Sequence, residues 1–583
     1  MQKTLNGVLL ACLLVVAGMV RADSAAADFE QLLQAHWNWQ LKVSPQLRTH
    51  LGDPGANHRW DDMSLEAHAE RDAARERFLA RLDAIDPAAL DAQDRLSHQM
   101  LHQQLSLERE AYALGLHLMA VNMRSGPQHL HSLQEQIAFR GEADYRDWLV
   151  RLQTYPELLE QYRELLEEGL MQERTQARVI MQRVPEQIRR LTSVPVEESP
   201  FFKAFAELPE TLSPATRDEL RRSARGAIEA GINPALESFG DFLANRYLPA
   251  CRDEAGVGSL PEGDAIYRHL TRRFTTTDMT PEAIHAVGER EVARLLKEME
   301  AVKDEVGFEG DLQAFNDFLR TDPQFYYETP EALYEGYLAI SKRLDPELVT
   351  LFGKLPRMPY GVRPIPASIA PDTTTAYYSR PAANGTRAGY YYVNLYRPEV
   401  RPKYEMEVLS VHEAVPGHHL QIALAQELDD LPMFRKLGGE TAFIEGWGLY
   451  SERLGYDMGL YTDPYSRYGQ LTYDMWRAVR LVVDTGMHHF GWSREQAIDY
   501  FKAHAGKTEA DIVNEIDRYI GWPGQALAYK IGQLKMLELR ALAERELGEA
   551  FDIRAFHDHL LGAGAIPLNA LESRMREWVA QRQ

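Results

Sequence analysis

The sequence predicts a mainly α-helical chain: a large multi-helical fold of two lobes, with a small β-sheet or hairpin next to a metal-binding helix. Three observations predict it. Apolar residues recur every three to four positions, as at Leu158/Leu159, Tyr162, Leu165/Leu166 and Leu170, the signature of one buried helix face. Only one zone is rich in strand formers. The third observation is length: about 560 residues beyond an N-terminal leader exceed what one core usually serves, so two lobes flanking a cleft are expected. Their expected bounds are about 23–345 and about 346–583.

Taken in order, residues 1–22 read as a secretory signal peptide. Lys3 precedes an apolar run over 8–20, and Val20-Arg21-Ala22 supplies a small-residue cleavage site. The run continues past Cys12, which argues against lipid anchoring there. Removal of the leader leaves Cys251 alone, so no intramolecular disulfide is expected. No other apolar run approaches twenty residues, and the mature chain is expected to be soluble and periplasmic. Losing Lys3 and Arg21 takes the formal charge from −22 to −24, which argues against nucleic acid or an anionic membrane as partner.

Asp86-Pro87 and Thr280-Pro281 each pair a capping residue with a proline suited to the first helical position. Ile284, Val287 and Leu295-Leu296 continue the helical pattern, and 192–200 reads as the clearest loop. The strand-rich zone follows: Arg363 to Ile369, Thr375 to Ser379, then Asn384-Gly385, then Tyr390 to Leu395. Tyr, Val and Thr favour strands, and Asn-Gly favours a hairpin turn. A sheet here could offer an edge to an extended peptide, or merely cap the helical core.

The densest chemistry is His412-Glu413-Ala-Val-Pro-Gly-His418-His419, with Glu445 in Ile-Glu-Gly-Trp-Gly downstream. Two imidazoles and a carboxylate can fill three positions of a tetrahedral Zn²⁺ and leave the fourth for water, and Glu413 beside the first imidazole suits a general base. The usual His-Glu-x-x-His spacing puts both His on one helical face. Here the second imidazole comes six (His418) or seven (His419) residues after the first. On an unbroken helix these lie about 9 Å and about 10.5 Å up the axis, too far to share an ion. Pro416 and Gly417 can break the helix and bring His418 back. The plain alternative, hydrogen-bonded core histidines, must explain costly polar groups between apolar flanks.

A helix is expected to start near Glu440, after Gly438-Gly439. Glu445 and Glu452 then share a face two turns apart. Glu445 is taken as the ligand, and Glu452 as a supporting partner or an ion-paired structural residue. Arg477, Arg480, Asp484 and His488 form one polar stripe on an otherwise apolar helix. It is either a core-bracing network or a grip for a peptide carboxylate through Arg477 or Arg480.

Residues 412–421, together with 445–452, resemble a large bacterial family of presumed zinc peptidases with the hallmark His-Glu-Ala-x-Pro-Gly-His-His-Leu-Gln. More distantly they are similar to the gluzincins, the group of thimet oligopeptidase and angiotensin-converting enzyme. Tyr391-Tyr-Val-Asn394-Leu-Tyr, Arg477-Ala-Val-Arg480 and 519–532 extend the likeness. The resemblance implies His412, His418 and Glu445 as Zn²⁺ ligands, with two residues inserted relative to gluzincins, so that the choice between His418 and His419 stays open. It also implies Glu413 as base. Tyr519 and Tyr529 become candidates for stabilising the oxyanion, with core packing as the alternative. Asn394 and His419 join the two arginines as candidate substrate contacts.

The expected activity is hydrolysis of short peptides by a secreted zinc metallopeptidase. The rivals are a zinc hydrolase of a non-peptide amide and a catalytically silent metal- or peptide-binding protein. Glu413 argues against the silent reading, since a binder needs no base beside its metal.

Overall fold

The computed structural model describes residues 24–583 apart from 368, 373, 383, 384 and 386. The leader and Cys12 lie outside the described residues. Among the described residues the chain is mainly helical, with one three-stranded sheet. It divides into two compact units, one ending at His269 and the other running Leu270–Gln583. The expected boundary near 345 is therefore displaced.

The reason lies in the helix Pro281–Glu305 (α2), which packs along the helix Pro464–His488 (α6). Thr280 caps α2 by accepting from the Ala283 N–H, with Pro281 in the first turn. Its apolar stripe of Ile284, Val292, Leu295 and Met299 is buried.

In the first unit the helix Tyr155–Met171 (α1) buries Leu158, Leu159, Tyr162, Leu165 and Leu166, the stripe read from sequence. Asp86-Pro87 begins only a 3₁₀ turn, Pro87–Ala89, although Asp86 caps it by accepting from the Ala88 N–H.

In the second unit the strands Tyr360–Pro364 (β1), Ala376–Ser379 (β2) and Gly389–Val393 (β3) form a sheet in the order β1-β3-β2. β2 and β3 are antiparallel, as a hairpin requires, while β1 joins β3 in parallel. Of the predicted Asn384-Gly385 turn, Gly385 takes φ +74° and Asn384 lies outside the described residues. β2 forms one edge of the sheet.

Two short helices follow, Met406–Glu413 (α3) and His418–Gln426 (α4), then the helix Thr441–Asp457 (α5), with Glu440 at its N-cap as expected. After α6 come Glu509–Gly521 (α7) and Leu527–Leu547 (α8). The α5–α8 contact is very close. A Cβ on Gly446 would sit 2.5 Å from the Gly532 Cα, and one on Gly532 would sit 1.9 Å from the Ala442 carbonyl oxygen. Two glycines facing one another let the backbones touch. The helix carrying Glu445 is thereby locked to the helix carrying Tyr529.

Candidate metal centre

The centre begins with a helix that stops. Pro416 cannot donate a backbone hydrogen bond, and α3 ends at Glu413, with Ala414 at φ −96°, ψ −109°. The chain closes on itself instead: the Gly417 N–H donates to the Val411 carbonyl at 2.9 Å, and the His419 N–H to the Ala414 carbonyl at 3.1 Å. Gly417 is required, because a Cβ there would lie 1.9 Å from the His412 carbonyl oxygen. Trp447 of α5 fixes the turn from outside, its indole N–H donating to the Pro416 carbonyl at 2.9 Å.

The break does what the spacing demanded. The His412 and His418 rings meet edge to face, with centroids 4.7 Å apart. Glu445 Oε2 is 3.6 Å from His418 Nε2 and 4.0 Å from His412 Nε2. Ligand atoms of His412, His418 and Glu445 all lie within 4.8 Å of one another. These gaps are too wide for hydrogen bonds. They are near the spacing that donors about 2 Å from a tetrahedral ion adopt.

Electrostatics suits the same use. Burial pushes the His412 imidazole down to about 3, and the nearby Arg477 charge acts in the same direction. Burial also lowers His418, with His412 the next cause. Both rings are therefore neutral around pH 7, the form that ligates a metal. His412 Nδ1 lies 2.8 Å from Glu452 Oε1, which turns its Nε2 toward Glu445. Glu452 is fully buried, and burial raises its carboxyl to about 8 against the pull of Arg477. Glu413, at the end of α3, is pushed up to about 7 by burial, with His418 the main opposing influence. Two neutral imidazoles and a carboxylate, with one imidazole held by the Glu452 carboxyl, match the donor types that a zinc ion takes, so the residues fit the ion.

His419 is not part of this cluster. Its Nδ1 meets the Tyr378 hydroxyl at 2.9 Å and its Nε2 the Met358 carbonyl at 3.0 Å, and burial pushes it down to about 4. It ties α4 to β2 and to the segment before β1, and it does not line the cavity.

A cavity of about 540 Å³ opens on the centre, a size suited to a small ligand or short peptide. His412, Glu413, His418, Glu445, Arg477, Arg480 and Tyr529 line it, as do residues 374–378, which lead into β2 and form most of it. Three expected contacts lie elsewhere or are already engaged. Asn394 is fully buried and donates to the Ala370 and Thr374 carbonyls, bracing the loop that enters β2. Tyr519 is fully buried, donates to Glu515 Oε2 at 2.6 Å and accepts from Arg480 Nε at 2.8 Å, so its hydroxyl is committed. His419 is the third, for the reason given. Tyr529 does face the cavity. Burial raises its hydroxyl, with the Glu445 charge the next cause.

The polar stripe of α6 divides between bracing and lining. Asp484 accepts from the Gly524 N–H and His488 meets the Tyr519 carbonyl, while Arg477 and Arg480 reach the cavity. Sequence reasoning missed Glu515, Arg518 and Trp447. Glu515 and Arg518 sit in an ordinary amphipathic helix three positions apart, a pattern shared by countless surface ion pairs. The indole of Trp447 had a signal, its place in Glu445-Gly-Trp447.

No curated protein matches the chain. A solved structure described as "the putative lipoprotein from Colwellia psychrerythraea" is similar at 28% identity and TM-score 0.87, over 96% of this chain and 99% of that one. Another, "a putative lipoprotein of unknown function from Shewanella oneidensis", shares the fold at 18% identity and TM-score 0.77, over 94% and 99%. Among the described residues, no helix is long and apolar enough to cross a membrane. A family model for bacterial proteins of unknown function matches residues 45–575, nearly the whole chain, and the chain belongs to that family, DUF885.

Proposed function

We propose that the protein is an exported zinc-dependent peptidase that hydrolyses short peptides. The observation that supports this reading is the convergence of His412, His418 and Glu445 in the lining of one cavity, which Glu413 also lines. The two similar structures described as putative lipoproteins support export.

Bound Zn²⁺ supplies Lewis-acid polarisation of a carbonyl and a more acidic water. The chain's own groups do the rest. Glu413, held near neutrality by burial, takes a proton from the attacking water and delivers it to the departing amine, so one water is consumed per bond broken. Tyr529, which lines the same cavity, would donate to the carbonyl oxygen as charge builds on it. β2 is an edge strand whose residues 376–378 line the cavity, and it would take an extended substrate along that edge. Glu452 orients His412.

Incubation of the mature protein with a mixture of short peptides, with and without a chelator, tests the reading by mass spectrometry. Chelator-sensitive cleavage is the expected result. Intact peptides, from a protein that carries zinc, would overturn it and turn attention to non-peptide amides.

A further inference from the structure

The arginine-rich end of the same cavity says which part of a peptide it holds. Arg518 makes two bonds to Glu515, Nε to Oε1 at 3.1 Å and Nη2 to Oε2 at 3.0 Å. Arg480 Nη2 reaches the same Glu515 Oε2 at 3.0 Å. Two guanidiniums thus share one carboxylate, and this cluster carries one positive charge in excess. It does so in a strongly acidic chain, with Arg480 only 5% exposed. Arg480 Nη1 is buried with no hydrogen-bond partner among the described residues, although the side chain lines the cavity.

An unpaired buried N–H on a surplus cation is costly unless a ligand satisfies it. Arg477 also lines the cavity, with its Nε likewise unpartnered, but its charge lies 3.9 Å from Glu452 Oε1. Nε and Nη2 of Arg480 are engaged by Tyr519 and Glu515, so Nη1 is the group that would donate to one oxygen of a monoanion. The Arg480 guanidinium lies 4.4 Å from the Tyr529 ring centroid, and Tyr529 also feels the charge of Glu445. One tyrosine therefore neighbours both the cationic end and the metal centre.

We propose that Arg480 seats the free C-terminal carboxylate of the substrate, so that the enzyme works inward from the C-terminus of short peptides. This rests on the peptidase reading. It assigns Arg480 a binding role, with Glu515 and Tyr519 as the residues that position it.

The shared chemistry is a carboxylate, which a peptide also presents on acidic side chains, so the test separates the two. Glu413→Gln protein is titrated calorimetrically with Ala-Ala-Ala, its C-terminal amide, its N-acetyl derivative and Ala-Ala-Glu amide. The expected result is that amidation weakens binding about tenfold or more, the worth of one charge-assisted contact. N-acetylation leaves affinity unchanged, and Ala-Ala-Glu amide binds no better than Ala-Ala-Ala amide. Arg480→Gln should erase the acid–amide difference, and Arg480→Lys should retain part of it.

Equal affinity for acid and amide, tight binding of Ala-Ala-Glu amide, or failure of every peptide to bind at millimolar concentration would overturn the proposal. The acid–amide comparison needs no Arg480 variant, so misfolding of a variant does not obscure it. Binding is read without turnover, so absent cleavage by the wild type would sink the peptidase reading while leaving this result to be judged by itself.

Discussion

His412 Nδ1 and Glu452 Oε1 stand 2.8 Å apart, both side chains buried, the second two helical turns beyond Glu445 on α5. One helix therefore supplies a candidate ligand and the group that orients another. Glu452→Ala should weaken zinc binding about 10- to 100-fold, the usual effect of losing a carboxylate that braces a ligating imidazole. Competition with a fluorescent chelator measures it. Unchanged affinity would mean that Glu452 serves packing alone.

Gly417 carries the break that brings His418 to His412. A methyl group there has no room beside the His412 carbonyl. Gly417→Ala should lower stability by roughly 3 kcal/mol or more, as backbone-incompatible substitutions at crowded sites do. It should also abolish stoichiometric zinc binding. Thermal melting and metal analysis check the two effects, and a variant that melts and binds like wild type would contradict the account of the turn.

Tyr529 and Tyr519 are separable. Tyr529→Phe should lower kcat by about 10²-fold, the scale of one oxyanion donor, with little change in KM. Tyr519→Phe removes the partner of Arg480 Nε and should act mainly on KM. Steady-state kinetics on one peptide decides, and the reverse pattern would exchange their roles.

Acid lability should follow from His557. Its Nδ1 meets the Leu351 carbonyl and its Nε2 the Tyr450 hydroxyl, both at 2.8 Å, so one ring nitrogen donates and the other accepts. That pattern requires the neutral ring, and burial pushes it down to about 4. The folded state thus holds fewer protons on His557 than the unfolded chain between pH 6.5 and about 4. Its contribution is complete above pH 6.5 and is lost as pH falls through that window, by up to roughly 3 kcal/mol. Melting of chelator-treated protein across this range, compared with His557→Gln, should show a shallower fall in the variant. Identical slopes would exclude His557 as a source.

Much of this was legible in the sequence because the signals were local. The α1 stripe, the Thr280-Pro281 cap and the Glu440 start are set by residues within one or two turns. The odd His412-to-His418 spacing was readable for the same reason, since Pro416 and Gly417 lie inside it. Tyr519, Asn394 and His419 each sit in a conspicuous motif, and the structure engages their polar atoms with protein partners. Residue type reveals hydrogen-bonding capacity, whereas partners depend on long-range packing. The lobe boundary was missed likewise, because the attachment of α2 to α6 joins positions far apart in sequence.

The measurement that tests the central claim most directly is peptide digestion by wild-type and Glu413→Gln proteins, followed by mass spectrometry, with the zinc content of both determined in parallel. The account predicts one zinc per chain in each, chelator-sensitive cleavage by the wild type, and a loss of about 10²-fold or more in the variant. Equal cleavage by both proteins, or no cleavage by a zinc-loaded wild type, would contradict it.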